Sequence, residues 1–233
     1  MANLRKGTYG EYYGSFYNES ETLTDEEMTV NAKYIYSSLS ACGWTLNAIS
    51  GLLGNAQHES ALNSGRWQSD NVGNTEAGYG LVQWTPASKY IAWCTEQGYN
   101  DPSEMDNNLN RIIYELENGI QYYKTDDYNY NFREFSTSTL TAYELACAFA
   151  FNYERSWVAL YGTEAEKEAL RQKRGNSATY WYDYLSGETP TDPDEGGDGD
   201  DTENETNSSY SKVNKFKFIL FTERAKAWKR RKY

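Results

Sequence analysis

At 233 residues and 39% hydrophobic content, the chain can bury one full-sized core and still carry extensions. Its net charge of −12 speaks against nucleic acid as a partner of the whole chain. No stretch approaches a membrane span, and the opening "MANLRKGTYGEYYGSFYNES" lacks the apolar core of a signal peptide.

Residues 1–23 read as an irregular N-terminal arm. Thr24 and Glu27 then form a capping box, Gly43 supplies a stop, and Met28, Ala32, Ile35, Tyr36 and Leu39 share one face, which predicts a first helix. Thr45 caps a second, "LNAISGLLGNAQHESAL", with Leu46, Ile49, Leu52, Leu53 and Ala56 inward and Glu59 in the last turn. Across 63–84 Gly, Asn and Ser break every period until "YGLVQW" gives a strand-like run, predicting a loop and a small β-ribbon. "TPASKYIAWCTEQG" returns to helix, with Pro86 in its first turn and Gly98 at its end.

A longer helix fits 103–124, where Leu109, Ile112, Ile113, Leu116 and Ile120 recur at helical spacing. After a Tyr/Asn/Asp-rich loop over 125–138, Thr141 and Glu144 cap a helix that is apolar on nearly every side and should be central. Thr163 and Glu166 cap a last helix through "EKEALRQKRGNSATYWYDYL", with "GNS" a candidate break. The globular part is thus 24–187.

Beyond it, 188–209 carries nine acidic residues and no basic one, an acidic linker without apolar anchors. Residues 210–233 set nine Lys or Arg against Glu223, around Phe216, Phe218, Phe221 and Trp228. That basic, aromatic segment suits three roles equally: a solvated tail that orders only on a partner, a binder of an anionic envelope surface such as teichoic acid or lipid headgroups, or a dock onto other proteins.

Three cysteines, Cys42, Cys94 and Cys147, include no C-x-x-C pair and read as thiols with at most one bridge. The 22 Tyr and 7 Trp serve either core packing or a groove of rings for stacking on sugars or bases. Trp67, Trp84 and Trp157 fit a sugar platform and a packed core equally well.

"GNAQHESALN" holds the one histidine of the chain, His58, beside Glu59. A zinc peptidase helix needs a second His four residues on, and Leu62 stands there. No metal site is expected. A nucleophilic serine lacks its G-x-S-x-G elbow. Glycoside cleavage asks for less: one carboxylic acid kept protonated, with a second carboxylate or a water opposite. A helix C-terminus disfavours negative charge, and apolar surroundings would raise the pKa of Glu59 further. Asp70 and Glu76 are the acidic residues after the helix that could face Glu59. Taken alone, Glu59 would ordinarily be an exposed helix-end carboxylate.

The ordered set "GNAQHES", "GYGLVQW" and "AFAFNYERS", with "GRWQSDNVG" between the first two, resembles the phage tail lysozyme family of the lysozyme and lytic transglycosylase superfamily. The likeness covers roughly residues 29–186. It implies a mainly α, lysozyme-like α+β fold whose β-ribbon walls a substrate cleft. It implies Glu59 as general acid and Gln83 and Tyr153 as sugar contacts, and it ranks Asp70 first and Glu76 second as the partner carboxylate, closely followed by none at all; Glu76, Tyr79, Trp84 and Asn152, from the same segments, are further candidate substrate contacts. His58 points away from the cleft, since successive helical residues diverge by about 100°. Glu154 is either a cleft residue or the ion-pair partner of Arg155 or another base.

The implied activity is cleavage of the β-1,4 bond between N-acetylmuramic acid and N-acetylglucosamine in peptidoglycan strands, without a cofactor. A virion-borne tail enzyme would open the host wall for the genome to pass. Lytic transglycosylase chemistry, a non-catalytic glycan-binding module and a structural tail protein with this fold stay open as alternatives.

Overall fold

The computed structural model describes residues 2–187; the acidic linker expected over 188–209 and the basic segment over 210–233 lie outside them. The helices are α1 (Asp25–Ala41), α2 (Leu46–Ser60), α3 (Ala87–Gln97), α4 (Met105–Asn118), α5 (Phe132–Ser136), α6 (Ala142–Phe149), α7 (Trp157–Tyr161) and α8 (Glu164–Ser186). A two-stranded antiparallel sheet, β1 (Asn3–Gly7) with β2 (Gly10–Gly14), completes the mainly helical class read from the sequence.

That sheet stands elsewhere than expected. The supposed irregular arm holds it, Asn3 opposite Gly14 and Gly7 opposite Gly10. The strand was hidden because a polar side chain occupies an inward position. Arg5 reaches Asp101 Oδ2 at 2.7 Å and Ser103 Oγ at 2.8 Å, so no apolar alternation shows. Asn31 of α1 clamps the second strand, accepting from the Tyr13 amide and donating to its carbonyl, each at 2.7 Å. Conversely, 63–84 forms no strand. Two isolated bridges, Trp67 to Tyr79 and Tyr79 to Trp84, are all the pairing in this expected ribbon.

Local signals placed most helix starts. The capping boxes at Thr24, Thr141 and Thr163 all close, and Thr45 accepts from the Ala48 amide. Asn131 and Glu134 form one more box, opening the short α5 inside the segment read as loop. Its Phe132 and Phe135 pack on Trp44 with ring centroids 5.6 and 5.9 Å away. The fourth helix ends at Asn118, short of the expected 124, because Gly119 turns left-handed at φ 63°.

The second helix is the axis of the core, with Ala48 to Ala56 buried without interruption. It packs between α6 and α8 because it has glycines on both sides. A Cβ on Gly51 would stand 3.0 Å from the Ala146 amide nitrogen, and one on Gly54 2.6 Å from the Arg174 carbonyl. The expected "GNS" break is absent, and α8 runs on unbroken. Gly175 is instead a contact point, where a Cβ would fall 2.3 Å from the Tyr143 ring. The sixth helix passes directly into a π turn, Ala150–Glu154, closed by Arg155 at φ 51°.

Candidate active site

Glu59 lies in the last turn of α2, which Ala61 and Leu62 end in the left-handed region at φ 53° and 55°. The next residue, Ser60, is buried and donates through Oγ to the Leu81 carbonyl at 2.8 Å. The Leu81 amide in turn donates to Asn108 Oδ1 of α4 at 2.8 Å. The Glu–Ser pair therefore does two jobs: one side chain stays partly open while its neighbour ties the helix end to the loop over 63–84.

The surroundings of Glu59 differ from the apolar pocket expected. Arg174 of α8 donates through Nη2 to Glu59 Oε1 at 2.5 Å, and through Nη1 to the Asn55 carbonyl at 3.0 Å. The pair is sheltered, with side-chain exposures of 11% for Arg174 and 22% for Glu59, so solvent screens it only in part. The close passage of α8 over Gly54 is what delivers the guanidinium to the helix end.

Glu154, at the end of the π turn, feels the charges of this pair. Burial first, then the negative charge of Glu59, pushes its carboxyl well above the usual carboxylate range, against the opposing pull of Arg174. Its Oε1 is sealed and without a hydrogen-bond donor. Arg155 is not its partner, for that guanidinium lies 4.4 Å over the Tyr123 ring.

Behind this cluster stands Glu115, fully buried on α4. It accepts from Arg111 Nε at 2.8 Å, Trp84 Nε1 at 3.0 Å and the Tyr153 hydroxyl at 2.5 Å. Burial raises its pKa, and Arg111 is the foremost opposing influence. One carboxyl thereby joins α4, the loop before α3 and the π turn, fixing the segment that carries Glu154.

The other residues singled out in the sequence separate into two groups. Four of the expected substrate contacts are packed inside. Tyr79 is 0% exposed, with its ring 4.4 Å from Trp67. Trp84 stacks on Tyr90 at 4.4 Å, Tyr153 is bonded to Glu115, and Asn152 donates to the Tyr128 carbonyl. Their aromatic and amide groups pack into the core that carries the site. Gln83 is half-buried, and its Nε2 donates to the Arg66 and Gly80 carbonyls, holding the loop.

Asp70 and Glu76 are exposed. Asp70 is held by Arg66 at 3.2 Å and by the Ser20 hydroxyl at 2.7 Å. Trp67 is core, whereas Trp157 is 66% exposed on α7. His58 faces α8, with Nε2 2.9 Å from Ser177 Oγ. Burial, followed by Arg174 and Lys173, lowers its pKa to about 4.

Arg174 had no reading in the sequence, and Glu154 only an open one. The available signal was the run of small residues after Arg174, which marks a close helix crossing as readily as a break. Among the described residues no group of three or more His, Cys, Asp or Glu side chains gathers as a metal site would require.

Residues 30–185 match the family model described as phage tail lysozyme. The chain is also 43% identical over 176 residues to "Morphogenesis protein 1" of Bacillus phage B103, a match spanning 76% of this chain and 45% of that protein. The chain thus spans less than half the length of that relative.

Proposed function

The chain belongs to the phage tail lysozyme family, and on that premise we propose that it is a virion-borne peptidoglycan hydrolase with Glu59 as general acid. The observation that carries this reading is the placement of Glu59. It sits in the last turn of α2, partly open, with Arg174 on one oxygen and Ser60 tying the adjoining loop.

The reaction proceeds at the β-1,4 bond between N-acetylmuramic acid and N-acetylglucosamine. The Glu59 carboxylic acid gives its proton to the departing glycosidic oxygen as the bond to the anomeric carbon breaks, and positive charge develops on the sugar. Water adds to that carbon and loses a proton. Asp70, exposed on the loop that Ser60 ties to α2, is the proposed second carboxylate. Local cleavage of this kind would open the host wall for genome delivery from the tail.

Mass spectrometry of purified peptidoglycan after digestion tests the reading. Wild-type protein should release muropeptides with reducing muramic acid ends, and Glu59→Gln should release none. Anhydro-muramic products would keep Glu59 as the acid but replace hydrolysis with transglycosylation. Absence of products with every bacterial wall would leave a binding or structural tail protein.

A further inference from the structure

We propose that a surface hollow between the chain after β2 and the loop after α3 is a second saccharide site, taking an N-acetylated amino sugar of a glycan strand. Phe16, Tyr17 and Asn18 line it from the first segment, and Tyr99, Asn100 and Asp101 from the second. Its volume of about 480 Å³ falls within the roughly 300–1,000 Å³ of ordinary small-molecule sites. Glu59, Arg174 and Asp70 take no part in the lining. The hollow thus stands apart from the candidate active site and does not depend on Glu59 being an acid.

Three braced rings and the lack of free charge decide what it takes. Phe16 is 43% exposed, with the Arg5 guanidinium 4.9 Å from its ring centroid. The Tyr17 ring is braced by Trp67 at 5.3 Å and Tyr79 at 5.7 Å, and the Tyr99 ring by Trp93 at 5.7 Å. Rings already held in place offer stacking surface at little entropic cost, which suits the apolar face of a pyranose. Asp101 is the charged residue of the lining, and its carboxylate is spent. Oδ2 accepts from Arg5 at 2.7 Å, and Oδ1 accepts from the Ser103 amide at 2.9 Å and hydroxyl at 2.5 Å. A phosphate, carboxylate or ammonium entering here would lose hydration and gain no counter-charge, which speaks against teichoic acid and charged peptide ends. Asn18 and Asn100 are exposed and make no hydrogen bond to any described residue. Each side-chain amide offers donors and an acceptor, the complement of the N–H and C=O of an acetamido group.

The hollow is joined to the loop of the active site by the chain that walls it. Trp67 Nε1 donates to the Tyr17 carbonyl at 2.8 Å, and the Ser20 hydroxyl donates to Asp70 Oδ1 at 2.7 Å. A sugar held here therefore bears on the segment that braces the loop over 63–84. If Glu59 also cleaves, a strand gripped at this second point stays near the cleft between cuts.

Amide spectra of the full chain carrying Glu59→Gln, which spares the ligand, would be titrated with two trisaccharides. Chitotriose is the β-1,4 trimer of N-acetylglucosamine, and cellotriose lacks its acetamido groups. We expect chitotriose to shift the side-chain amides of Asn18 and Asn100 and the backbone amide of Tyr99, with cellotriose weaker by about tenfold or more. Adding Asn18→Ala and Asn100→Ala, at two exposed positions, should weaken chitotriose at Tyr99 by about tenfold or more while the melting temperature holds. Shifts confined to the neighbours of Glu59, equal binding of cellotriose, or undiminished affinity in the doubly substituted asparagine variant would each overturn the proposal. Chitotriose in the hollow of a protein whose wild type cleaves no wall would remove the hydrolase reading and keep this site. Cleavage by the wild type without shifts at the hollow would do the reverse.

Discussion

The Tyr153 hydroxyl donates to Oε2 of Glu115 at 2.5 Å, so a tyrosine that the family resemblance cast as a sugar contact is a bolt in the core. Both groups are buried, and Glu115 has Trp84 and Arg111 as its other donors. Tyr153→Phe should therefore lower stability by about 1–3 kcal/mol, because it leaves part of a buried carboxyl unsolvated and unbonded. Its KM for peptidoglycan should stay at the wild-type value. Urea unfolding beside steady-state kinetics checks both, and a double-mutant cycle with Glu115→Gln should show strong coupling.

Ser60 makes the corresponding link on the front of the site. Ser60→Ala would strip the buried Leu81 carbonyl of its side-chain donor, at about 1 kcal/mol of stability. The loop over 63–84 would lose its tie to the helix end that carries Glu59. The expected result is a kcat loss larger than the small stability change explains, measured by turnover at a temperature where the variant is fully folded.

Gly54→Ala tests the crossing that delivers Arg174. A Cβ there meets the Arg174 carbonyl at 2.6 Å and the Ala178 amide nitrogen at 2.7 Å, backbone atoms that cannot rotate away. Forcing α8 outward should cost about 1–3 kcal/mol. It should also draw the guanidinium from Glu59, so that activity falls together with melting temperature.

His58 gives a pH signature of its own. Its folded pKa of about 4 lies below the ordinary 6.5, with burial the main cause. Between those values the unfolded chain binds more protons than the folded one, so stability rises with pH through that window. The contribution is complete above the unfolded value and is lost as pH falls toward the folded one. Urea midpoints should decline over that range in the wild type, and less so in His58→Gln. Titrations shared by both proteins, such as those of Glu115 and Glu154, largely cancel in the difference.

What the sequence disclosed divides by range. Thr24, Thr45, Thr141 and Thr163 announce helix starts because a cap and its amide lie within three residues of each other. Asn131 and Glu134 carry the same signal, hidden in a segment whose Tyr and Asn content suggested a loop. The hairpin stayed hidden because Arg5 faces inward toward Asp101, a partner 96 residues away. The site itself followed the same rule. Glu59 could be read from its helix position, whereas Arg174 reaches it across 115 residues through a contact set by glycine, which no local pattern records. The inward turn of Tyr79, Trp84, Asn152 and Tyr153 was not legible for a related reason: a motif shows residue types in order, not which way each side chain turns.

The π turn at Ala150–Glu154 changes what a comparison among relatives should count. Such a turn is an α-helix holding one residue more than its hydrogen bonds need. Deleting any single residue between Phe149 and Glu154 would restore the ordinary ladder and swing the following carboxyl by about 100°. A relative shorter by one position there would lose the placement of Glu154 that the π turn sets. The length of that stretch, more than the identity of its residues, records whether a lineage has kept that turn.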